Sequence, residues 1–227
     1  MACFPHAGGT ANHYHGVSAA LSPEVEALAI QYPGRQDRWA APHPGSIQGL
    51  AQQAVSALAP WTDRPLALFG HSMGALVAFE AARLLADEGT VPHRLIVSGC
   101  RAPSRPREGS VHRLDDAGII AHLKELGGTA SEVLDNEELR AMFLPAMRAD
   151  YRAVESYRYV PGPPLSCPVL ILTGDSDPAT TLDEANAWGE HTSAGSELRV
   201  YSGGHFFLDE HAAGVTELIR TRCTPTG

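Results

Sequence analysis

The stretch LALFGHSMGA, residues 66–75, joins an apolar run of strand length to a run of helix formers through a Gly-x-Ser-x-Gly turn. A strand that turns at once into a helix passes close to neighbouring backbone, so Gly70 and Gly74 have no room for a Cβ. The turn exposes Ser72 at the carboxyl edge of a sheet, where its hydroxyl can attack a carbonyl. The pentapeptide alone also occurs by chance in glycine-rich loops. The apolar strand before it and the helical run ALVAFEAARLLAD after it, residues 75–87, favour the nucleophile.

Apolar runs of strand length recur along the chain, with helical segments between them. We predict strands over residues 1–4, 27–31, 66–69, 95–98, 169–173 and 198–201. We predict helices over residues 12–21, 46–58, 75–87, 182–188 and 208–221. This alternation is typical of right-handed βαβ units, so we expect an α/β fold whose central sheet is mostly parallel and flanked by helices.

One long interval, residues 101–166, separates two predicted strands by more than a crossover helix requires. Within it, residues 114–126 and 136–159 both have a helical pattern, and Phe143, Met147 and Tyr151 repeat at a spacing of four residues. Such a stripe usually faces a core. An insertion here would lie over the carboxyl edge of the sheet, so we predict a helical lid at about residues 101–166 on a single domain with its core at 1–100 and 167–227.

Composition sets broad limits on function. The 227 residues are sufficient for one enzyme domain, and the net charge of −9 argues against a nucleic-acid partner. Neither a membrane-spanning run nor a signal peptide is visible, so we expect a cytoplasmic protein. The cysteines Cys3, Cys100, Cys167 and Cys223 are scattered without a CxxC pair, which favours free thiols over disulfides or metal ligands.

A serine nucleophile needs a histidine that accepts its proton and an acid that orients the histidine. In a strand–turn–helix site of this type the order along the chain is serine, acid, histidine, which leaves three late histidines. His191 ends a helical segment before a strand, and His211 lies inside the last predicted helix. His205 follows a strand through a glycine-containing loop, at the carboxyl edge where Ser72 lies, so we predict that His205 is the base.

The acid should follow the preceding strand, where the row VLILTGDSDP, residues 169–178, offers two candidates. Pro178 favours an extended backbone at Asp177, which can project its carboxylate across the edge of the sheet. Asp175 lies tight against the turn at Gly174 and is better placed to bond within its own loop. We favour Asp177 and keep Asp175 as the alternative.

An oxyanion hole needs two backbone N–H groups near the serine. Met73, directly after the nucleophile, supplies one. The loop CFPHAGG, residues 3–9, can supply the other, and we choose Ala7. His6 in this loop comes too early in the chain to be the base, so we expect it to shape the loop.

Five motifs in order along the chain resemble those of the type II thioesterases, the editing enzymes that accompany polyketide synthases and non-ribosomal peptide synthetases and that have an α/β-hydrolase fold. The motifs cover nearly the whole chain: FPHAGG at 4–9, YPGR at 32–35, FGHSMGA at 69–75, LPAMRADY at 144–151 and GGHFFL at 203–208. The family pattern also places another strand before the Phe4 segment, which has no counterpart here. We expect either that the given sequence starts too late to include this strand or that the sheet lacks this edge strand.

The resemblance implies hydrolysis of aberrant or stalled acyl thioesters held on the phosphopantetheine arm of acyl or peptidyl carrier proteins. By resemblance, Ser72, Asp177 and His205 match the triad, and Ala7 and Met73 the oxyanion donors. The family chemistry needs no metal and no soluble cofactor, and we expect a monomer. A general acyl-CoA thioesterase or small-ester hydrolase is the alternative, and a non-catalytic carrier-binding protein is a third possibility.

Basic residues are clustered in the row RAPSRPREGSVHR, residues 101–113. Such a row is usually a solvated loop. Carrier proteins are commonly acidic, however, so Arg101, Arg105 and Arg107 are candidates for a docking surface.

Overall fold

The computed structural model describes residues 1–127 and 136–223 of the chain. Within these ranges the strands form a six-stranded sheet in the order β2-β1-β3-β4-β5-β6, and every pairing is parallel. The predicted α/β architecture with a parallel central sheet is therefore confirmed. The strands are β1 (Ala2–Phe4), β2 (Leu28–Ala29), β3 (Ala67–His71), β4 (Arg94–Ser98), β5 (Val169–Gly174) and β6 (Ser196–Tyr201).

Helices connect the strands, as the sequence pattern predicts. In chain order they are α1 (His15–Leu21), α2 (Ile47–Leu58), α3 (Met73–Asp87), α4 (Asp116–Leu126), α5 (Glu137–Ser156), α6 (Leu182–Asn186), α7 (Phe207–Glu210) and α8 (Ala212–Cys223). Short 3₁₀ turns precede α1 and follow α6, at Ala11–Tyr14 and Ala187–His191.

The predicted helix over residues 208–221 is wrong in one respect, because the chain forms two helices there. The break falls at His211, whose backbone leaves the helical region at φ −108° and ψ 18°. Its ring Nε2 lies 2.8 Å from the carbonyl oxygen of Ser202, to which it can donate a hydrogen bond. This contact ties the break to the loop that follows β6.

Hydrophobic clusters cover the sheet and position the strand that leads to Ser72. One cluster packs α2 and α3 against one face and includes the buried Trp188, while the other includes residues of α1 and α8. Strand β3 lies inside the sheet and is buried along its whole length, and most of α3 is buried as well. The turn between them is therefore fixed on both sides.

The segment between β4 and β5 contains α4 and α5, as predicted for the insertion. Ile119 and Leu123 of α4 pack against Leu144 and Met147 of α5, and Ala7 of the loop after β1 packs against this cluster. The helices therefore adjoin the carboxyl edge of the sheet. The predicted lid also spans residues 128–135, which lie outside the described residues.

The cysteines at positions 3, 100, 167 and 223 are free thiols, as the sequence predicts. No helix within residues 1–127 and 136–223 has both the length and the apolar character required to cross a membrane. The cytoplasmic location stays a prediction.

Candidate active site

Ser72 occupies a sharp turn between β3 and α3. Its backbone has a φ of 55° and a ψ of −119°, a conformation that non-glycine residues rarely adopt. The Ser72 N–H donates a 2.8 Å hydrogen bond to the carbonyl oxygen of Ser98, the last residue of β4. A Cβ at Gly70 would overlap backbone atoms of Gly74, so the compact turn depends on glycine at that position.

A chain of hydrogen bonds joins Ser72, His205 and Asp177. His205 Nε2 lies 2.9 Å from Ser72 Oγ, and His205 Nδ1 lies 2.9 and 3.0 Å from the two carboxylate oxygens of Asp177. Because a carboxylate can only accept, Nδ1 carries the proton and Nε2 is free to accept the serine proton. The arrangement can generate a serine nucleophile.

The two candidate acids occupy different surroundings. Asp177 is buried and also accepts a 2.8 Å hydrogen bond from the Ala179 N–H, which fixes its carboxylate toward His205. Asp175 is exposed and accepts hydrogen bonds from Ser176 Oγ and the Gly203 N–H, which together lower the pKa of its carboxyl. The structure therefore brings Asp177, and not Asp175, into contact with His205.

His191, which chain order left as a candidate base, lies elsewhere. Its ring is within 6 Å of the rings of Phe79, Tyr159 and Trp188, and its Nε2 lies 2.9 Å from Ser104 Oγ. Within the described residues it has no contact with Ser72, so its place is structural.

Met73 and Ala7, the two predicted oxyanion donors, both lie near Ser72. Met73 begins α3, and Ala7 lines a small cavity together with Ser72 and His205. Neither amide has a hydrogen-bond partner among residues 1–127 and 136–223. Both N–H groups are therefore without an acceptor in the described part of the chain.

A cluster of uncharged imidazoles adjoins His205 through His71. The His71 ring centre lies 5.0 Å from that of His205, and His6 packs within 6.0 Å of His71 and within 4.9 Å of His13. Burial, followed by the repulsion of neighbouring imidazoles, lowers the pKa of His6 to about 3 and that of His71 well below its usual value. The rings therefore stay neutral at physiological pH and place no positive charge beside His205.

Two cavities meet Ser72 and His205. The larger, about 90 Å³, has apolar walls at Leu76, Val154 and Tyr159. The smaller, about 20 Å³, lies between Ala7 and Leu123. The larger cavity is smaller than an engineered cavity of about 150 Å³ that admits benzene.

The predicted docking residues Arg101, Arg105 and Arg107 line the larger cavity. Two of them are already paired: Arg105 with Glu190, and Arg107 with both carboxylate oxygens of Glu184 at 2.8 Å. The structure thus places this arginine cluster at the cleft that contains Ser72, with part of its charge neutralised by the protein itself.

The stripe predicted for the lid divides between two environments. Tyr151 lines the smaller cavity with Ser72. Phe143 and Met147 instead pack against Gly8, where an added Cβ would overlap the Met147 methyl group. Only Tyr151 of the three lines a cavity that contains the serine.

The sequence reasoning missed a buried ion pair next to this stripe. Asp150 of α5 is 0% exposed and lies 2.8 Å from the guanidinium of Arg35, which is 7% exposed. Both residues lie in motifs that carried the family resemblance, but neither received a role. The sequence could have indicated that Asp150 is buried, since it follows Met147 by three residues and so shares the buried face of the helix.

Within the part of the chain that the structure describes, no group of three His, Cys, Asp or Glu side chains could hold a metal ion.

A protein-family model described as the thioesterase domain matches residues 1–223. The chain belongs to the thioesterase family. Two curated thioesterases are close in sequence. The probable cadicidin biosynthesis thioesterase of Streptomyces griseus is 47% identical over 225 residues, 99% of this chain and 62% of that protein. Thioesterase PikA5 of Streptomyces venezuelae is 48% identical over 212 residues, 92% of this chain and 75% of that protein.

Solved thioesterase structures show the same fold. The type II thioesterase BorB from the borrelidin biosynthetic cluster superposes with a TM-score of 0.92 at 50% identity, covering 98% of this chain and 91% of that one. RedJ from the prodiginine pathway of Streptomyces coelicolor gives the same TM-score at 34% identity, covering 97% and 89%. The resemblance to type II thioesterases and the α/β-hydrolase fold are thereby confirmed. The chain spans 62% of the length of the Streptomyces griseus thioesterase.

Proposed function

We propose that this thioesterase hydrolyses aberrant or stalled acyl thioesters carried on the phosphopantetheine arm of carrier proteins in polyketide or non-ribosomal peptide synthesis. The observation that carries the proposal is the hydrogen-bonded series Ser72–His205–Asp177 where two cavities meet, one lined by Met73 and the other by Ala7. The solved relatives YbtT and ClbQ, at 35 and 30% identity, come from NRPS/PKS pathways by name, which supports the substrate class.

The reaction starts with attack of Ser72 Oγ on the thioester carbonyl while His205 Nε2 takes the hydroxyl proton. The Ala7 and Met73 N–H groups stabilise the resulting oxyanion, at about 3 kcal/mol per donor. Collapse breaks the C–S bond, and the leaving sulfur takes the proton back from His205. His205 then removes a proton from water, the hydroxide attacks the acyl-serine, and the acid and Ser72 are released.

The larger cavity offers a position for the substrate beside Ser72. A short acyl chain can lie against Leu76 and Val154, while the arm passes the arginines at 101, 105 and 107 toward the carrier. Helices α4 and α5 close the other side of Ser72, through Leu123 and Tyr151. In this proposal the insertion is the lid of the site, and the chemistry uses only side chains and backbone amides of the protein.

One observation favours the alternative of an acyl-CoA or small-thioester hydrolase. Arg105 and Arg107 are each engaged by a carboxylate of the same chain, so they offer an acidic carrier less net charge than their number indicates. The two candidate functions therefore differ in the substrate that the enzyme accepts and not in its catalytic residues.

The test offers the purified protein matched acyl-carrier, acyl-CoA and N-acetylcysteamine thioesters of increasing chain length. We expect the acyl-carrier with a short chain to have the highest kcat/KM, and Ser72→Ala to abolish release with an unchanged circular dichroism spectrum. Turnover that survives Ser72→Ala contradicts the mechanism, and a preference for acyl-CoA supports the alternative.

A further inference from the structure

The carboxylate of Asp150 is fully buried and accepts hydrogen bonds from three separate segments. Its partners are the Gly8 N–H at 2.8 Å, Arg35 Nη2 at 2.8 Å and His43 Nε2 at 3.0 Å. The Gly45 N–H donates to His43 Nδ1 at 2.9 Å, so the proton of a neutral His43 lies on Nε2 and points at Asp150. Burial alone would raise the pKa of Asp150, but the bonds from His43 and Arg35 outweigh it and lower that pKa.

Arg35 extends the same network to the next residue of the loop. Its Nη1 donates a 2.9 Å hydrogen bond to the Gly9 carbonyl oxygen, and its Nε donates to the Pro33 carbonyl oxygen. The loop after β1 is therefore held by Asp150 at Gly8 and by Arg35 at Gly9. Ala7, the proposed oxyanion donor, immediately precedes these two anchored residues.

The Gly9 N–H donates a 2.9 Å hydrogen bond to the His6 carbonyl oxygen, which closes a turn with Ala7 and Gly8 at its centre. The bonds to Asp150 and Arg35 fix the orientation of this turn relative to the rest of the protein. Gly8 has a φ of +72°, in a region open chiefly to glycine, whose backbone also has the widest choice of alternative conformations. A rotation about the Ala7 or Gly8 dihedrals would swing the Ala7 N–H away from Ser72. The bond from the Gly8 N–H to Asp150 of α5 opposes that rotation.

We propose that Asp150 and Arg35 are positioning residues that hold the Ala7 N–H toward the oxyanion. The inference rests on the proposed function and adds residues to its mechanism. Burying an ion pair is a poor source of stability, because the desolvation cost is comparable to the attraction gained. A role in orienting the loop gives this pair a function that an apolar pair could not supply.

The first test measures kcat and KM for Asp150→Asn and Arg35→Lys with the propionyl thioester of N-acetylcysteamine. Asn keeps the shape but loses the charge, and Lys keeps the charge but loses the fork that reaches both Asp150 and Gly9. Loss of one oxyanion donor lowers kcat by about 10²–10³-fold. A donor that is present but misplaced should lower kcat less, by about 10–10²-fold. KM should change little, because the contact develops in the transition state.

A second readout reports on the oxyanion directly. A boronic acid that forms a tetrahedral adduct with Ser72 should bind these variants more weakly, by a factor close to the loss in kcat. If the pair of Asp150 and Arg35 served only the fold, the loss in kcat and the loss in affinity for the boronic acid would not match.

Folding is separated from positioning by the double variant Arg35→Met with Asp150→Leu, which replaces the ion pair with apolar side chains. Replacing the ion pair alone is often neutral or stabilising, but the Gly8 N–H and the Gly9 carbonyl oxygen lose their partners. We therefore expect a lower Tm in a protein that is still folded at the assay temperature, together with a low kcat. Glu197→Gln, which breaks the remote pair of Glu197 with Arg222, is the control and should keep the wild-type kcat.

Wild-type kcat in Arg35→Lys and in the double variant overturns the inference. That result leaves the proposed function standing as long as Ser72→Ala is inactive. Failure of the proposed function shows instead as wild-type protein without activity on any thioester.

Discussion

The carbonyl oxygen of Phe4 lies in the space that a Cβ at Gly74 would occupy, and the Pro5 carbonyl oxygen lies 2.7 Å from the same point. The first turn of α3, which follows the nucleophile, is thus in direct contact with the start of the loop that carries Ala7. This contact sets how close the two sides of the proposed oxyanion hole can come. A glycine at position 74 is required by that approach and not by a positive φ.

Gly74→Ala should therefore lower both stability and activity. The methyl group must displace backbone, and overpacking of this kind costs about 1–3 kcal/mol in the free energy of unfolding. Displacing the Phe4 loop also moves Ala7, so kcat should fall in the fraction that remains folded. Urea denaturation and steady-state kinetics check this. Gly16→Ala is the matched control, because an added Cβ there meets nothing within 4 Å and should raise helix stability by up to about 1 kcal/mol.

Asp177→Asn and Asp175→Asn should have very different effects on kcat. Asparagine at 177 cannot hold His205 in the tautomer that accepts the serine proton, and the equivalent change in a serine protease costs about 10⁴-fold. Asp175 bonds to Ser176 and Gly203 and makes no contact with His205, so its replacement should cost far less. Similar losses in the two variants would contradict the assignment of Asp177.

Charge reversal at Arg105 and Arg107 tests whether this side of the cleft receives a carrier protein. We expect Arg105→Glu with Arg107→Glu to raise KM for an acyl-carrier much more than for an N-acetylcysteamine thioester, because only the carrier has an extended acidic surface. Arg64→Glu is the control, since Arg64 is also exposed and paired with a glutamate but does not line the cleft. Equal loss on both substrates means that the arginines serve the fold and not the carrier.

The free energy of unfolding should fall as the pH decreases below about 6.5. His6 has a pKa of about 3 in the folded protein because it is buried, whereas in the unfolded chain its pKa is near 6.5. Between these values the unfolded chain binds a proton that the folded protein rejects, so stability is lost on acidification across this window. A single group contributes at most about 1.4 kcal/mol per pH unit.

Replacing His6 with phenylalanine isolates this effect. His6 Nδ1 has no hydrogen-bond partner among the described residues, so the change removes a titrating group without breaking a bond there. We expect a smaller slope of unfolding free energy against pH between 4 and 6. The remaining slope comes from the other groups whose pKa is lowered, among them His71, His13 and His191. An unchanged slope would contradict the neutral state assigned to His6.

The sequence predicts the fold well where one physical requirement decides the outcome. The buried strand before Ser72, the glycines around it and the position of His205 after a strand all follow from local pattern and chain order. Strand ends were less accurate, since β2 comprises only Leu28–Ala29 where five residues were predicted. Its pairing along β1 involves only these residues, and no local signal marks where that pairing stops.

The parts of the site that could not be predicted depend on contacts between distant segments. Asp150 is 115 residues from Arg35 and 142 from Gly8, so neither periodicity nor composition indicates which partner an acid on a buried helix face will find. The pairing of Arg107 with Glu184 is of the same kind, and it changes how the arginine cluster should be viewed. Local patterns identify the groups that need partners, and the tertiary structure selects them.

Asp150 belongs to the helix that roofs the site and at the same time secures the loop that faces the reacting carbonyl. Substrate range and catalytic rate are therefore not independent properties in this protein. Attempts to widen its acyl range by redesigning α5 will also disturb turnover, whereas changes at α4, whose Leu123 lines the cavity, avoid the shared anchor. A library for directed evolution should start from α4 and leave residues 35 and 150 unaltered.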